Sequence, residues 1–138
     1  LHTAYRRQRQ MCIRDRYINI NSPSGYGFAT GLIDEACADA AISFEDRAQL
    51  TFQKSINYCE NVEGMPSEEL ITFLEGFAQG ARCTLFIDLK SGQNGHHIWE
   101  AVFRGVGIAL GQALSFDSSR EGLTSGVAGK VEYEVSAE

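Results

Sequence analysis

The order of hydrophobic patterns predicts an α+β protein, a two-layer sandwich of three strands, helix, strand and helix, with both helices covering one face of a sheet. Three observations carry that expectation. Short β-branched and aromatic runs occupy the first sixty positions, two apolar stripes at helical spacing follow, and Gly-, Pro- and Asn-rich clusters punctuate them. The chain has 138 residues, enough for one core and too few for two full-sized ones. Apolar residues make up 43%, charged residues 22% and prolines number 2, which excludes a disordered or collagen-like chain. No apolar run approaches the roughly 20 residues that cross a bilayer, so a membrane-spanning role is excluded.

The elements follow in order. The cluster NSPSGYG, with Pro23, Gly25 and Gly27, is a turn, after which Phe28 to Asp34 suits a short strand. A second strand is expected over Ala40 to Phe44, with Glu45-Asp46-Arg47 as the turn beyond it. Leu50 to Tyr58 alternates imperfectly but is rich in β-formers, which completes three successive antiparallel strands. Pro66-Ser67-Glu68-Glu69 then starts a helix, with acids where the macrodipole favours them. Its stripe is Leu70, Phe73, Leu74, Phe77, Ala78 and Ala81, and it should end near Gly80. Thr84 to Leu89 is a strand by content, and Ser91 to Gly95 a loop. A second helix runs from His96 to Leu114, burying Ile98, Ala101, Val102, Val106, Ala109, Leu110 and Ala113. Lys130 to Val135 alternates like a closing edge strand.

Charge divides the chain. Arg6, Arg7, Arg9, Arg14 and Arg16 are five of the 12 cations, and removing the first 20 positions leaves seven cations against 17 anions. A body near −10 repels a phosphate backbone, so general nucleic-acid binding is not expected; an RNA-binding arm at the N-terminus is the remaining form of that idea. The arm lacks the pattern of a targeting peptide, and its MCIRDR stretch resembles translated sequencing-adapter DNA. Residues 1–19 are therefore set aside as a basic tail and residues 20–138 treated as the domain, with the natural chain expected to extend upstream. Cys12, Cys37, Cys59 and Cys83 are widely spaced, with no C-x-x-C pair, which fits reduced thiols in a cytoplasmic protein.

The chemistry concentrates in Asn94-Gly95-His96-His97-Ile98-Trp99-Glu100. On a helix, His96 and Glu100 share a face while His97 turns about 100° away. One imidazole and one carboxylate can chelate a cation, leaving the second imidazole for another. Imidazole and carboxylate without thiolate suit Mn²⁺, Fe²⁺ or Zn²⁺, and mixed N/O octahedral coordination points toward manganese. One turn does not complete such a site, so further ligands must come from elsewhere in the chain or from another subunit. Adjacent histidines at a helix start are also commonly just exposed polar residues.

The run TLFIDLKSGQNGHHIWEAVFRGVGIALGQAL, preceded by PSEELITFLEGFAQGARC, resembles the second half of imidazoleglycerol-phosphate dehydratase. The family's Gly-x-Asn-x-His-His-x-x-Glu-Ala-x-Phe stretch lies after a Thr-Leu strand, as here. Ile33-Asp34-Glu35-Ala36 occupies the place of its Met-Asp-Glu-Ala-like segment and Arg47 that of its downstream arginine, and the likeness spans about residues 25 to 115. The resemblance implies one of two similar halves, each of three strands, helix, strand and helix, in a large homo-oligomer with two manganese ions per complete site. It implies a hydro-lyase that dehydrates imidazoleglycerol phosphate to imidazoleacetol phosphate in histidine biosynthesis, the azole being deprotonated to an imidazolate as water is expelled.

Carried over residue by residue, the resemblance makes His96, His97 and Glu100 metal ligands, Glu100 and Glu35 catalytic, with Glu35 an acid/base or a supporting group, and Arg47 and Lys130 binders of the substrate phosphate. Arginine suits bidentate phosphate recognition. Taken alone, Arg47 reads as a solvated turn residue and Glu35 as a surface carboxylate. Around Lys130, Gly126-Val127-Ala128-Gly129 departs from the usual Ser-Thr-Lys-Gly pattern. Gly25 stands where the family usually has arginine, Phe86 where it has histidine, and Trp99 where an aliphatic residue is common, a place from which it would pack or cover the substrate. With the first half missing, the fragment is expected to be inactive alone. The competing reading, favoured by Gly25 and Phe86, is a non-catalytic α+β assembly or small-ligand-binding module.

Overall fold

The structure, a computed structural model, describes residues 22–45, 47–54 and 59–121. Strands β1 (Tyr26–Ile33) and β2 (Ala36–Ser43) form an antiparallel hairpin turned by Asp34 and Glu35, with Asp34 at φ 46°. Asp tolerates that left-handed conformation better than most residues. Strand β3 (Gln49–Lys54) follows, then a small hairpin of β4 (Asn61–Val62) and β5 (Met65–Pro66). Helix α1 (Ser67–Ala81), strand β6 (Thr84–Ser91) and helix α2 (Gly95–Leu114) complete the sandwich, and one 3₁₀ turn (Ser118–Arg120) ends the description. The basic segment 1–19, Lys130 and the closing strand expected over Lys130 to Val135 lie outside the described residues.

The sheet order is β1-β2-β6-β3, which corrects the expectation of three consecutive antiparallel strands. Strand β6 inserts between β2 and β3, antiparallel to β2 and parallel to β3. Burial explains the insertion: Leu85, Ile87 and Leu89 are fully buried and demand a central strand, while β3 is mostly exposed and suits an edge. The second strand also begins four residues earlier than expected. Its alternating Ala36, Ala38 and Ala40 carry little β signal, yet all three are buried beneath α2.

Both helices lie on one face, in a single core that joins Ala38, Ala40, Ile42, Leu85 and Ile87 of the sheet to Leu74 and Ala78 of α1 and Ile98, Val102 and Ala109 of α2. Small residues let α2 press onto the sheet. A Cβ at Gly27 would fall 1.9 Å from the Ala109 carbonyl oxygen, and one at Gly31 1.9 Å from that of Ala101. Helix α1 departs from its expected stripe: Phe73 is exposed and meets Phe103 at 6.1 Å between ring centroids, while Ser67 is buried. Trp99 is buried and stacks on Phe52 at 5.5 Å, so it packs the core and does not cover a ligand. Its indole N–H donates to Ser67 Oγ at 3.0 Å, and Ser67 Oγ donates to the Cys59 carbonyl at 2.6 Å. Among the described residues no helix is long and apolar enough to cross a membrane.

Candidate metal centre

Three loops converge on the first turn of α2. Asn94 caps that helix by accepting from the His96 N–H at 2.9 Å, which fixes where the helix begins and the angle at which His96 and His97 leave it. From the β1–β2 turn, Glu35 Oε1 accepts from the backbone N–H groups of Gln93 (3.2 Å) and Asn94 (2.9 Å). From the β4–β5 turn, Glu63 reaches His96. Trp99, one turn farther along the helix, is tied through Ser67 to Cys59 just before that hairpin.

The two imidazoles diverge, as helical geometry requires. His96 Nε2 lies 3.5 Å from Glu100 Oε2, its i+4 neighbour, and His96 Nδ1 lies 3.1 Å from Glu63 Oε1. His97 turns toward the β1–β2 hairpin, with Nδ1 2.8 Å from Glu35 Oε2 and Nε2 3.6 Å from Asp34 Oδ2. The rings are 6.1 Å apart and edge-on. Asp34, Glu35 and His97 each present a ligand atom within 4.8 Å of the others. Asp34 has no assigned role in the motif, and the signal for it in the sequence is an Asp-Glu pair in a two-residue turn. Arg104 has no such signal. Its guanidinium donates to Glu100 Oε1 at 2.6 Å and to the Leu32 carbonyl at 2.9 Å, holding one carboxylate oxygen and leaving Oε2 facing His96.

The donor chemistry fits a divalent cation of the harder kind. Neighbouring ligand atoms around a six-coordinate ion with bonds of ~2.1 Å stand about 3 Å apart. The 3.5 Å between His96 Nε2 and Glu100 Oε2 is close to that spacing. Imidazole nitrogen and carboxylate oxygen are the atoms offered on both sides of the turn.

Glu35 and His97 shift each other's titration. The Glu35 carboxyl is held down at about 2, first by the Asn94 backbone N–H and then by His97, while the Glu35 bond raises the His97 imidazole above its ordinary range. Two backbone N–H groups and His97 fix the position of Glu35, so its carboxylate is placed to orient His97.

Other residues singled out in the sequence lie apart. Arg47 is exposed just before β3, and because β3 and β6 run parallel it sits at the opposite end of the sheet from the histidines. Phe86 is mid-strand, half-buried on the face away from the helices. Gly25 adopts φ 74°, donating its N–H to the Ala113 carbonyl and accepting from the Phe44 N–H. A left-handed backbone there accounts for glycine.

Comparison with known proteins bears on the family and the fold. The family model described as "Imidazoleglycerol-phosphate dehydratase" matches residues 11–110. The protein of that name from Syntrophobacter fumaroxidans is 34% identical over 100 residues, covering 72% of this chain and 50% of the relative. The one from Nitratidesulfovibrio vulgaris is 36% identical over 99 residues, again 72% of this chain and 50% of the relative. The chain thus spans about half the length of the curated relatives it matches. Among solved structures, imidazoleglycerol-phosphate dehydratase from Staphylococcus aureus superposes with a TM-score of 0.64 at 28% identity, covering 78% of this chain and 67% of that one. The enzyme from Pyrococcus furiosus gives 0.67 at 26% identity, covering 89% and 72%. With a family model covering most of its length and its fold shared with these structures, the chain belongs to the imidazoleglycerol-phosphate dehydratase family.

Proposed function

We propose that this chain is the C-terminal half of a manganese-dependent hydro-lyase, one that removes water from imidazoleglycerol phosphate to give imidazoleacetol phosphate in histidine biosynthesis. The observation that carries the reading is the division of the first turn of α2: His96 with Glu100 on one side, His97 with Asp34 and Glu35 on the other. Family membership supports the reaction class, and the donor set supports Mn²⁺. Bound there, divalent ions supply Lewis acidity toward the azole and a template for it.

The chain's own residues prepare that chemistry. His96, His97 and Glu100 are the proposed ligands, and Arg104 keeps Glu100 aimed at His96. Glu35, fixed by two backbone N–H groups, accepts from His97 Nδ1 and leaves Nε2 for an ion. Arg47 and Lys130 remain the proposed binders of the substrate phosphate. Since Arg47 sits at the far end of the sheet, it serves a histidine cluster supplied by the other half of the protein or by another copy of it. The second arrangement accords with a large homo-oligomer for the whole protein. The spacing of the cysteines favours a reducing, cytoplasmic setting.

The test compares formation of imidazoleacetol phosphate by the chain alone and by the chain preceded by the first half of the Syntrophobacter relative, in wild-type, His96→Ala and His97→Ala forms. Manganese-dependent turnover in the joined wild type, lost in both variants, is expected. A joined protein that turns over equally well with either histidine removed overturns the reading.

A further inference from the structure

We propose that Glu63, at the tip of the β4–β5 hairpin, is a positioning residue for His96. Its carboxylate accepts from an N–H kept on His96 Nδ1 and so presents the bare Nε2, beside Glu100, to a cation. The inference rests on the manganese reading above and adds a residue to it.

Three observations carry it. First, His96 stands between two carboxylates, 3.1 Å from Glu63 through Nδ1 and 3.5 Å from Glu100 through Nε2. His97 has a similar pair of neighbours, hydrogen-bonded to Glu35 through Nδ1 at 2.8 Å and 3.6 Å from Asp34 through Nε2, whereas His96 and Glu63 are in contact without hydrogen-bond alignment in this structure. An imidazole that ligates through one nitrogen commonly donates its other N–H to a carboxylate, which fixes tautomer and ring orientation. Second, Glu63 holds its place in an unfavourable backbone conformation. It has φ 51° and Gly64 φ 86°, in a two-residue turn between paired Val62 and Met65. Both central positions of such a turn favour Gly, Asn or Asp, so a glutamate there calls for a reason. Third, the hairpin is fastened against the helix that bears His96. Ser67 donates its N–H to the Glu60 carbonyl at 2.8 Å and its hydroxyl to that of Cys59 at 2.6 Å. A Cβ on Gly95 would lie 2.9 Å from Cys59 Cβ and 3.2 Å from Val62 Cγ2. Hairpin and helix thus form two walls of a cleft of about 450 Å³, with Glu63 and His96 both in its lining.

The Glu63 side chain is 75% exposed against 36% for Glu35, so water weakens its hold. Removing a shielded orienting group typically costs ~10–100-fold in metal affinity, and at Glu63 roughly a three- to tenfold loss is expected.

The experiment compares the 138-residue chain with Glu63→Ala, Glu63→Gln and, as a control for lost charge, Glu75→Ala on the exposed side of α1. Two quantities are read. One is the tautomer of His96, from imidazole ¹⁵N shifts of the metal-free protein at about pH 8.5, where an ordinary imidazole is neutral. The other is the affinity for Mn²⁺ alone. Glu63→Ala should shift His96 toward the Nε2–H form and weaken Mn²⁺, Glu63→Gln should retain part of both, and Glu75→Ala should change neither. An unchanged His96 tautomer in Glu63→Ala overturns the proposal whether or not metal binds. A tautomer shift with Mn²⁺ affinity equal to wild type overturns the claimed service to the cation. A wild-type chain that binds no Mn²⁺ even when joined to the first half of the Syntrophobacter relative sinks the manganese reading instead, and the tautomer alone then decides whether Glu63 orients His96.

Discussion

Replacing Ser67 by alanine tests whether the Trp99–Ser67–Cys59 chain fastens the site to the core. Ser67 has no exposed surface and Trp99 is 3% exposed, so Ser67→Ala strands a buried indole N–H that was bonded at 3.0 Å. An unsatisfied buried donor costs about 1–3 kcal/mol. The Cys59 carbonyl, on an exposed residue, can turn to water and adds little. The expected loss is therefore about 2 kcal/mol, which at a urea slope of ~1–3 kcal/mol/M lowers the unfolding midpoint by roughly 1 M. Trp99→Phe removes the donor itself, so combining it with Ser67→Ala should cost less than the sum of the single losses by about 1 kcal/mol. Urea unfolding followed by circular dichroism measures all three variants. A Ser67→Ala loss under ~0.5 kcal/mol, or single losses that simply add, refutes the reasoning.

Two further predictions concern pH and packing. Glu35 titrates lower in the folded chain than in the unfolded one, so its contribution to stability is present above about pH 4.3 and is lost as pH falls through about 2. His97 titrates higher when folded, so its contribution is complete below about pH 6.5 and is lost as pH rises through its folded value. The gap in urea midpoint between wild type and Glu35→Gln should accordingly be widest between about pH 4.5 and 6.5 and narrow on both sides; a gap independent of pH contradicts the Glu35–His97 pairing. Gly31→Ala should destabilise by about 3 kcal/mol, because the new Cβ would meet backbone atoms of α2 that cannot move aside. Gly107→Ala, with nothing within 4 Å of its Cβ, should stabilise by about 0.5–1 kcal/mol, and equal effects at the two positions in thermal unfolding would contradict the close docking of α2 on β1.

The sequence made the α+β order legible because periodicity is strong where it matters: of the expected α2 stripe, Ile98, Ala101, Val102, Val106, Ala109 and Ala113 are buried and Leu110 is half-buried. Strand order was not legible, since local patterns do not say that β6 inserts between β2 and β3. The alanines of β2 hid the first half of that strand because their role is to let α2 approach, which no propensity scale records. At the site, the i,i+4 spacing of His96 and Glu100 forecast their contact, and the 100° turn forecast the divergence of His97. Asp34 and Glu63 come to the histidines across long chain separations, from turns where acidic residues ordinarily mean only solvent exposure. Arg104 was hidden for a different reason, as one more cation on a helix surface.

In the proposed function, the first turn of α2 divides its imidazoles between two cation positions. Titration of the chain with Mn²⁺, followed by the electron paramagnetic resonance signal of the free ion, addresses this in wild-type, His96→Ala, His97→Ala and doubly substituted forms. Each single substitution should remove one class of sites and spare the other, and the double substitution should remove both. Undiminished Mn²⁺ binding by the doubly substituted chain, or loss of all binding from either single change, would contradict it.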